Sequence, residues 1–154
     1  MKNFLRNISV GIAILTVFSF SVNAQLSEGT VAPNWTFTDM NGQSHTMYNY
    51  LDSGYAVIID ISATWCGPCW GYHQGGALEN LYNQYGPQGT KEVMVFWVEG
   101  DGSTADACMN GTTGCSSSQG CWTCGTPFPM FNPPSSQATT FNNNYAIGYY
   151  PTVY

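Results

Sequence analysis

Cys66-Gly67-Pro68-Cys69 is the grouping in this chain whose residue types and spacing best suit a reaction. A thiolate, not a thiol, attacks a disulfide, so a working cysteine needs a depressed pKa. The first turn of a helix provides unpaired N–H groups and the positive end of the helix dipole, both of which favour a thiolate. Two intervening residues allow Cys69 to reach Cys66 and close a small ring. Gly67 accommodates the turn, and Pro68 sacrifices no hydrogen bond in a first helical turn. Cys66 is the expected attacking thiol and Cys69 the thiol that resolves the mixed disulfide. Half a zinc site and a structural disulfide share this spacing, so the surrounding elements must decide.

Those elements favour redox chemistry. Residues 55–61 (YAVIIDI) are mostly apolar and β-branched, as expected of a strand buried on both faces. Residues 70–85 carry Ala77, Leu78, Leu81, Tyr82 and Tyr85 on one helical face, with Gly75 and Gly76 loosening the middle. Gly86-Pro87 ends the helix, and residues 93–98 (VMVFWV) read as a second buried strand. Strand, helix and strand in this order predict a right-handed crossover in a parallel sheet. Upstream, residues 35–40 and 44–48 read as a hairpin turned by Asn41-Gly42. Trp65 flanks the cysteine pair. Asp60 sits inside the apolar run, where desolvation should raise its pKa and suit it to relay protons near neutral pH. A solvated strand edge is the alternative setting for it.

Residues 59–69 (IDISATWCGPC) closely resemble the active-site strand and motif of the thioredoxin superfamily, with Asp60 on that family's buried aspartate. Residues 32–42 (APNWTFTDMNG) resemble the entry hairpin of the exported TlpA/ResA-like branch. Residues 145–152 (YAIGYYPT) are similar to the segment that ends in the family's cis-proline, which falls on Pro151. The likeness spans about residues 31–98 and 141–154. It implies an α/β thioredoxin-like fold: a central mixed sheet flanked by helices, with an N-terminal hairpin. It further implies thiol-disulfide oxidoreductase activity on protein thiols and disulfides, without a cofactor. The backbone beside Pro151 would be free to pair with an extended substrate segment. Three departures bear on potential and partner choice. Trp70 replaces a basic residue, residues 93–98 lack the lysine often near the aspartate, and Gly75-Gly76 stand where a helix-kinking proline is common.

Composition narrows the other classes. Lys2 and Arg6 precede an apolar run over residues 8–20, and residues 21–24 end in Ala24, so residues 1–24 read as a cleaved signal peptide. The mature domain, residues 25–154, would then be exported to a periplasmic or extracellular space with no membrane anchor. It would hold nine carboxylates against Lys91 alone, which argues against nucleic-acid binding. An exported reductant would need a membrane electron donor; an oxidant or isomerase would not.

Residues 100–144 are rich in Gly, Ser, Thr, Asn and Pro, show no sustained helical or strand period, and read as a Cys-rich loop insertion. Cys108, Cys115, Cys121 and Cys124 lie within it. Two structural disulfides are the expectation, with a four-cysteine zinc site or a second redox pair at Cys121 and Cys124 as alternatives. Only three residues follow Pro151, so the family's closing hairpin and helix are expected to be missing and the domain incomplete. A peroxiredoxin fits poorly, because Thr64 precedes Cys66 by two residues rather than three and no arginine follows Arg6. A metal chaperone could use His73, four residues after Cys69, or His45, yet no metal is expected. A non-catalytic binding module on the same scaffold would not need the intact Cys-Gly-Pro-Cys.

Overall fold

A computed structural model describes residues 25–154; the signal peptide expected over residues 1–24 lies outside them. The fold is α/β and thioredoxin-like. Its centre is the parallel pairing of β3 (Ala56–Ser62) with β4 (Val93–Glu99), in register from Ala56 opposite Val93 to Ser62 opposite Glu99. Between them the chain crosses over through α2 (Gly67–Gln74) and α3 (Ala77–Tyr85). β5 (Met130–Phe131) adds parallel to β4, and β6 (Thr152–Val153) adds antiparallel to β3, giving the order β5-β4-β3-β6. β1 (Thr36–Thr38) and β2 (Ser44–Thr46) form a separate antiparallel hairpin.

Alternation along the central strands divides the core into two faces. Ile59, Ile61, Phe96 and Val98 point to one side, where Trp35 and Phe37 of the hairpin cover them. Trp35 meets Phe96 edge-on at 5.1 Å, a favoured aromatic geometry. Val95 and Trp97 point to the other side, together with Cys66 and Cys69. Asp60, Ser62 and Glu99 share this second face by the same alternation.

Three sequence expectations need correction. The return strand ends at Thr46 rather than continuing to residue 48, and α1 (Met47–Asp52) begins at once. Met47, 2% exposed, drops into the core there and takes the chain out of the hairpin plane. The helix expected over residues 70–85 starts earlier and is two helices, because Gly76 adopts φ +67°, a left-handed conformation that interrupts helical bonding. Residues 100–144 are not loop throughout. They contain α4 (Asp106–Met109), β5 and the ten-residue α5 (Ser135–Asn144). Phe141 anchors α5 against the hairpin side of the sheet, with Tyr145 one turn further on, and Ala138 is buried against the loop at Gly102.

Phe96 is fully buried on the central strand and packs against Trp35, Tyr50 and Phe131. Phe96→Ala is expected to lower stability by about 3–5 kcal/mol, the usual cost of a large aromatic cavity. Urea unfolding followed by circular dichroism measures it, and a loss within ordinary surface-mutation scatter would contradict this packing.

Candidate active site

β3 ends at Ser62, and within four residues the chain reaches α2. Cys66 is the N-cap of that helix and Gly67 its first residue; Pro68 lies in its first turn, where no N–H is needed. Cys66 and Cys69 are joined as a disulfide, with the Cys69 N–H donating to Cys66 Sγ at 3.2 Å. Cys66 is 5% exposed and Cys69 fully buried, so only Cys66 offers an edge to solvent. The N–H pointing at Cys66 Sγ would stabilise a thiolate there once the bond is reduced.

Two buried carboxylates lie on the sheet face beneath this helix. Asp60 accepts a hydrogen bond from the Ser62 hydroxyl at 2.7 Å, and burial raises its pKa to about 7. The Ser62 bond opposes that rise, and the charge of Glu79 on α3 adds to it. Its burial excludes the solvated-edge alternative. Glu99 ends β4 and was not singled out by sequence. Its only sequence signal is a charge closing an otherwise apolar run. Glu99 Oε2 accepts the Thr64 N–H at 2.8 Å and Oε1 accepts the Asp101 N–H at 3.0 Å. Burial pushes Glu99 to about 7 as well, against the pull of those two donors. The carboxylate thereby ties the approach to Cys66 to the loop after β4.

The rim is aromatic. Trp65, 47% exposed, donates its indole N–H to Asp101 Oδ2 at 2.9 Å and meets Tyr150 edge-on at 6.1 Å. Hydrogen bonds from Ser103 and then Trp65 hold Asp101 below the usual carboxylate range. Tyr150 packs against Gly100, where a Cβ would stand 2.3 Å from its ring. The Tyr150–Pro151 peptide is cis, and Thr152 follows in register with Ile61 on β3. Pro151 therefore stands beside the end of β3 that leads to the cysteines.

The Cys-rich segment supplies the opposite rim, which sequence did not foresee. Gln119 donates its backbone N–H to the Thr64 carbonyl at 2.9 Å and its side-chain amide to the Trp65 carbonyl at 3.0 Å. Gly120 lies against Trp70, whose ring would be 2.4 Å from a Cβ there. Trp122 is fully buried against Trp70, His73 and Trp97. Trp70 thus packs the insertion where a basic residue would have met solvent. Cys108 pairs with Cys115 and Cys121 with Cys124. His73 sits 3.3 Å from Glu79 and under Trp122, and burial lowers its pKa. His45 is remote in role: it links Asp39 of the hairpin turn at 3.1 Å to the Tyr50 hydroxyl of α1 at 2.6 Å. Among the described residues, no three His, Cys, Asp or Glu side chains gather as a metal would require.

Comparison with known proteins gives a consistent picture. No family model matches the chain. It is 30% identical over 87 residues to the thiol-disulfide oxidoreductase ResA of Geobacillus kaustophilus, covering 56% of this chain and 47% of that protein. It is likewise 30% identical over 76 residues to ResA of Bacillus subtilis, covering 49% of this chain and 40% of that one. The chain thus spans about half the length of the curated relatives it matches. Among solved structures, the thioredoxin domain of a Bacteroides vulgatus thiol-disulfide oxidoreductase superposes with a TM-score of 0.62 at 19% identity, over 83% of this chain and 79% of that one. A thiol:disulfide interchange protein DsbE from Chlorobium tepidum gives 0.56 at 22% identity, over 84% and 77%. The resemblance to the TlpA/ResA-like thioredoxins extends from motif to fold.

The two raised carboxylates set the sign of a pH effect. Both bind a proton more tightly in the folded chain than when unfolded, so stability should fall as pH rises from about 4 to about 7 and stay lower above. Asp60→Asn removes one ionisation and should flatten that decline, so that its stability relative to wild type rises as pH goes from about 4 to about 7. Thermal unfolding across pH 4 to 8 tests this, and parallel curves for the two proteins would refute it.

Proposed function

We propose that the mature chain, residues 25–154, is an exported thiol-disulfide oxidoreductase that exchanges its Cys66–Cys69 pair with protein thiols and disulfides. The observation that carries this reading is Cys66 at the N-cap of α2, disulfide-bonded to Cys69 and accepting its N–H. The leader-like residues 1–24 support export to a periplasmic or extracellular space. An exported protein of this kind draws electrons from a membrane donor when it works as a reductant, the direction that Gly67-Pro68 favours.

In the reducing direction, the Cys66 thiolate attacks one sulfur of a substrate disulfide, forming a mixed disulfide and expelling the other substrate sulfur as a thiolate. Cys69, deprotonated, then attacks Cys66 Sγ, releasing the second substrate thiolate and closing the Cys66–Cys69 bond. Two electrons pass to the substrate, which takes up two protons. Asp60, poised near neutral pH on the sheet face below α2, is the group suited to accept the Cys69 proton. Glu99 accepts the backbone N–H groups of Thr64 and Asp101, and Asp101 accepts the Trp65 indole N–H, so the two carboxylates position the turn that carries Cys66. Trp65, Tyr150 and Pro151 form the lip against which a substrate segment would lie.

Insulin reduction in the presence of dithiothreitol tests the activity. Cys66→Ser should reduce turnover to background, and Cys69→Ser should accumulate mixed disulfides visible on non-reducing gels. Alkylation of the reduced protein should label Cys66 first, at a pH well below its free value of about 8.5. Wild-type protein without activity would favour a binding module on this scaffold, and preferential labelling of Cys69 would reverse the two roles.

A further inference from the structure

Among the three disulfides, Cys121–Cys124 alone repeats the spacing of Cys66–Cys69, whereas Cys108–Cys115 closes a longer loop. Its setting is the most open. Cys124 is exposed and Cys121 half-buried, while Cys66, Cys69 and Cys108 are all buried. As a staple it contributes less than Cys108–Cys115, because a disulfide's restraint on the unfolded chain grows with the loop it closes and this ring encloses only two residues. Other bonds already hold its loop. The Trp122 and Thr123 N–H groups both donate to the Met109 carbonyl, at 2.9 and 3.2 Å. The Thr123 hydroxyl donates to Asn110 at 2.8 Å, the Thr126 hydroxyl donates to the Trp122 carbonyl at 2.6 Å, and the Trp122 indole is locked against Trp70 and Trp97. None of these contacts passes through a sulfur, so the ring can open while its loop stays docked.

We infer that Cys121–Cys124 is a second redox centre, exchanging electrons with an external dithiol independently of Cys66–Cys69. A thiolate of the dithiol attacks the Sγ of Cys124, the more exposed residue of the two; the S–S bond breaks and Cys121 leaves as a thiolate. The second thiol of the partner then attacks the mixed disulfide and frees Cys124. The partner ends as a disulfide, and Cys121 and Cys124 hold its two electrons, with two protons taken up on the protein sulfurs. The strip that carries this centre also borders the first pair, through Gln119 on Thr64 and Trp65 and through Trp122 on Trp70.

The test uses Cys66→Ser/Cys69→Ser protein, so its outcome does not depend on whether the first pair turns over substrates. The protein is equilibrated with graded mixtures of reduced and oxidised dithiothreitol, alkylated and mapped by mass spectrometry. Cys121 and Cys124 should become labelled together in mixtures at least about tenfold less reducing than those that open Cys108–Cys115. The near-UV circular dichroism should be unchanged, and oxidised glutathione should restore the bond. Opening only together with Cys108–Cys115, or with loss of the near-UV signal, would mark a structural staple and overturn the inference. Wild-type protein mapped in the same mixtures gives the same two outcomes if the double variant does not fold.

Discussion

The parallel pairing of β3 with β4 is the interaction on which the rest of this structure depends. Parallel strands cannot be joined by a tight turn, so the pairing demands a crossover, and α2 and α3 supply it. Because β4 has strands on both edges and packed side chains on both faces, its residues Met94 to Val98 are all nearly inaccessible. The register also sets the chemistry. Ser62 opposite Glu99 marks the common end of the two strands, and the cysteine pair emerges just beyond it. A helix N-terminus, an exposed rim and two buried carboxylates meet there because two strands stop at the same height.

The buried charges show how this chain manages desolvation with few cations. Among the described residues Lys91 is the sole lysine or arginine, so neither Asp60 nor Glu99 has a basic partner. Hydrogen bonds do the work instead: one from a serine hydroxyl to Asp60, and two from backbone N–H groups to Glu99. Neutral donors compensate a carboxylate less completely than an ion pair, which is why both groups titrate near neutrality. Removing arginines from a surface is usually read as a statement about partners. Here it equally determines how interior acids behave.

Much of this arrangement was legible in the residues. The strand–helix–strand order and the place of Cys66 come from two apolar β-branched runs flanking a stretch of helical spacing, and the hairpin from the Asn41-Gly42 turn signal. What escaped detection was either short or weakly patterned. β5 has two residues, too few for alternation to register. α5 is built largely of Ser, Thr and Asn, which are indifferent helix formers, and is held by Ala138, Phe141 and Tyr145 at helical spacing within a polar sequence. Glu99 was hidden by its position at a strand's last residue, where a charge reads equally as solvent-facing. The docking of residues 119–122 on α2 and the turn before it is a tertiary contact, and no local pattern encodes it.

Two glycines give the mouth of this site an evolutionary signature. Gly100 beneath Tyr150 and Gly120 beneath Trp70 are places where an aromatic ring rests on bare backbone, with no room for a Cβ. Neither glycine needs its backbone freedom, since neither adopts a positive φ. The constraint is therefore one of partnership rather than conformation. Across relatives, a side chain at either position should appear only where the ring facing it has been replaced by something smaller. Glycine and ring should change as pairs, one pair on each side of the cysteines, while the polar surface of the same loops drifts freely.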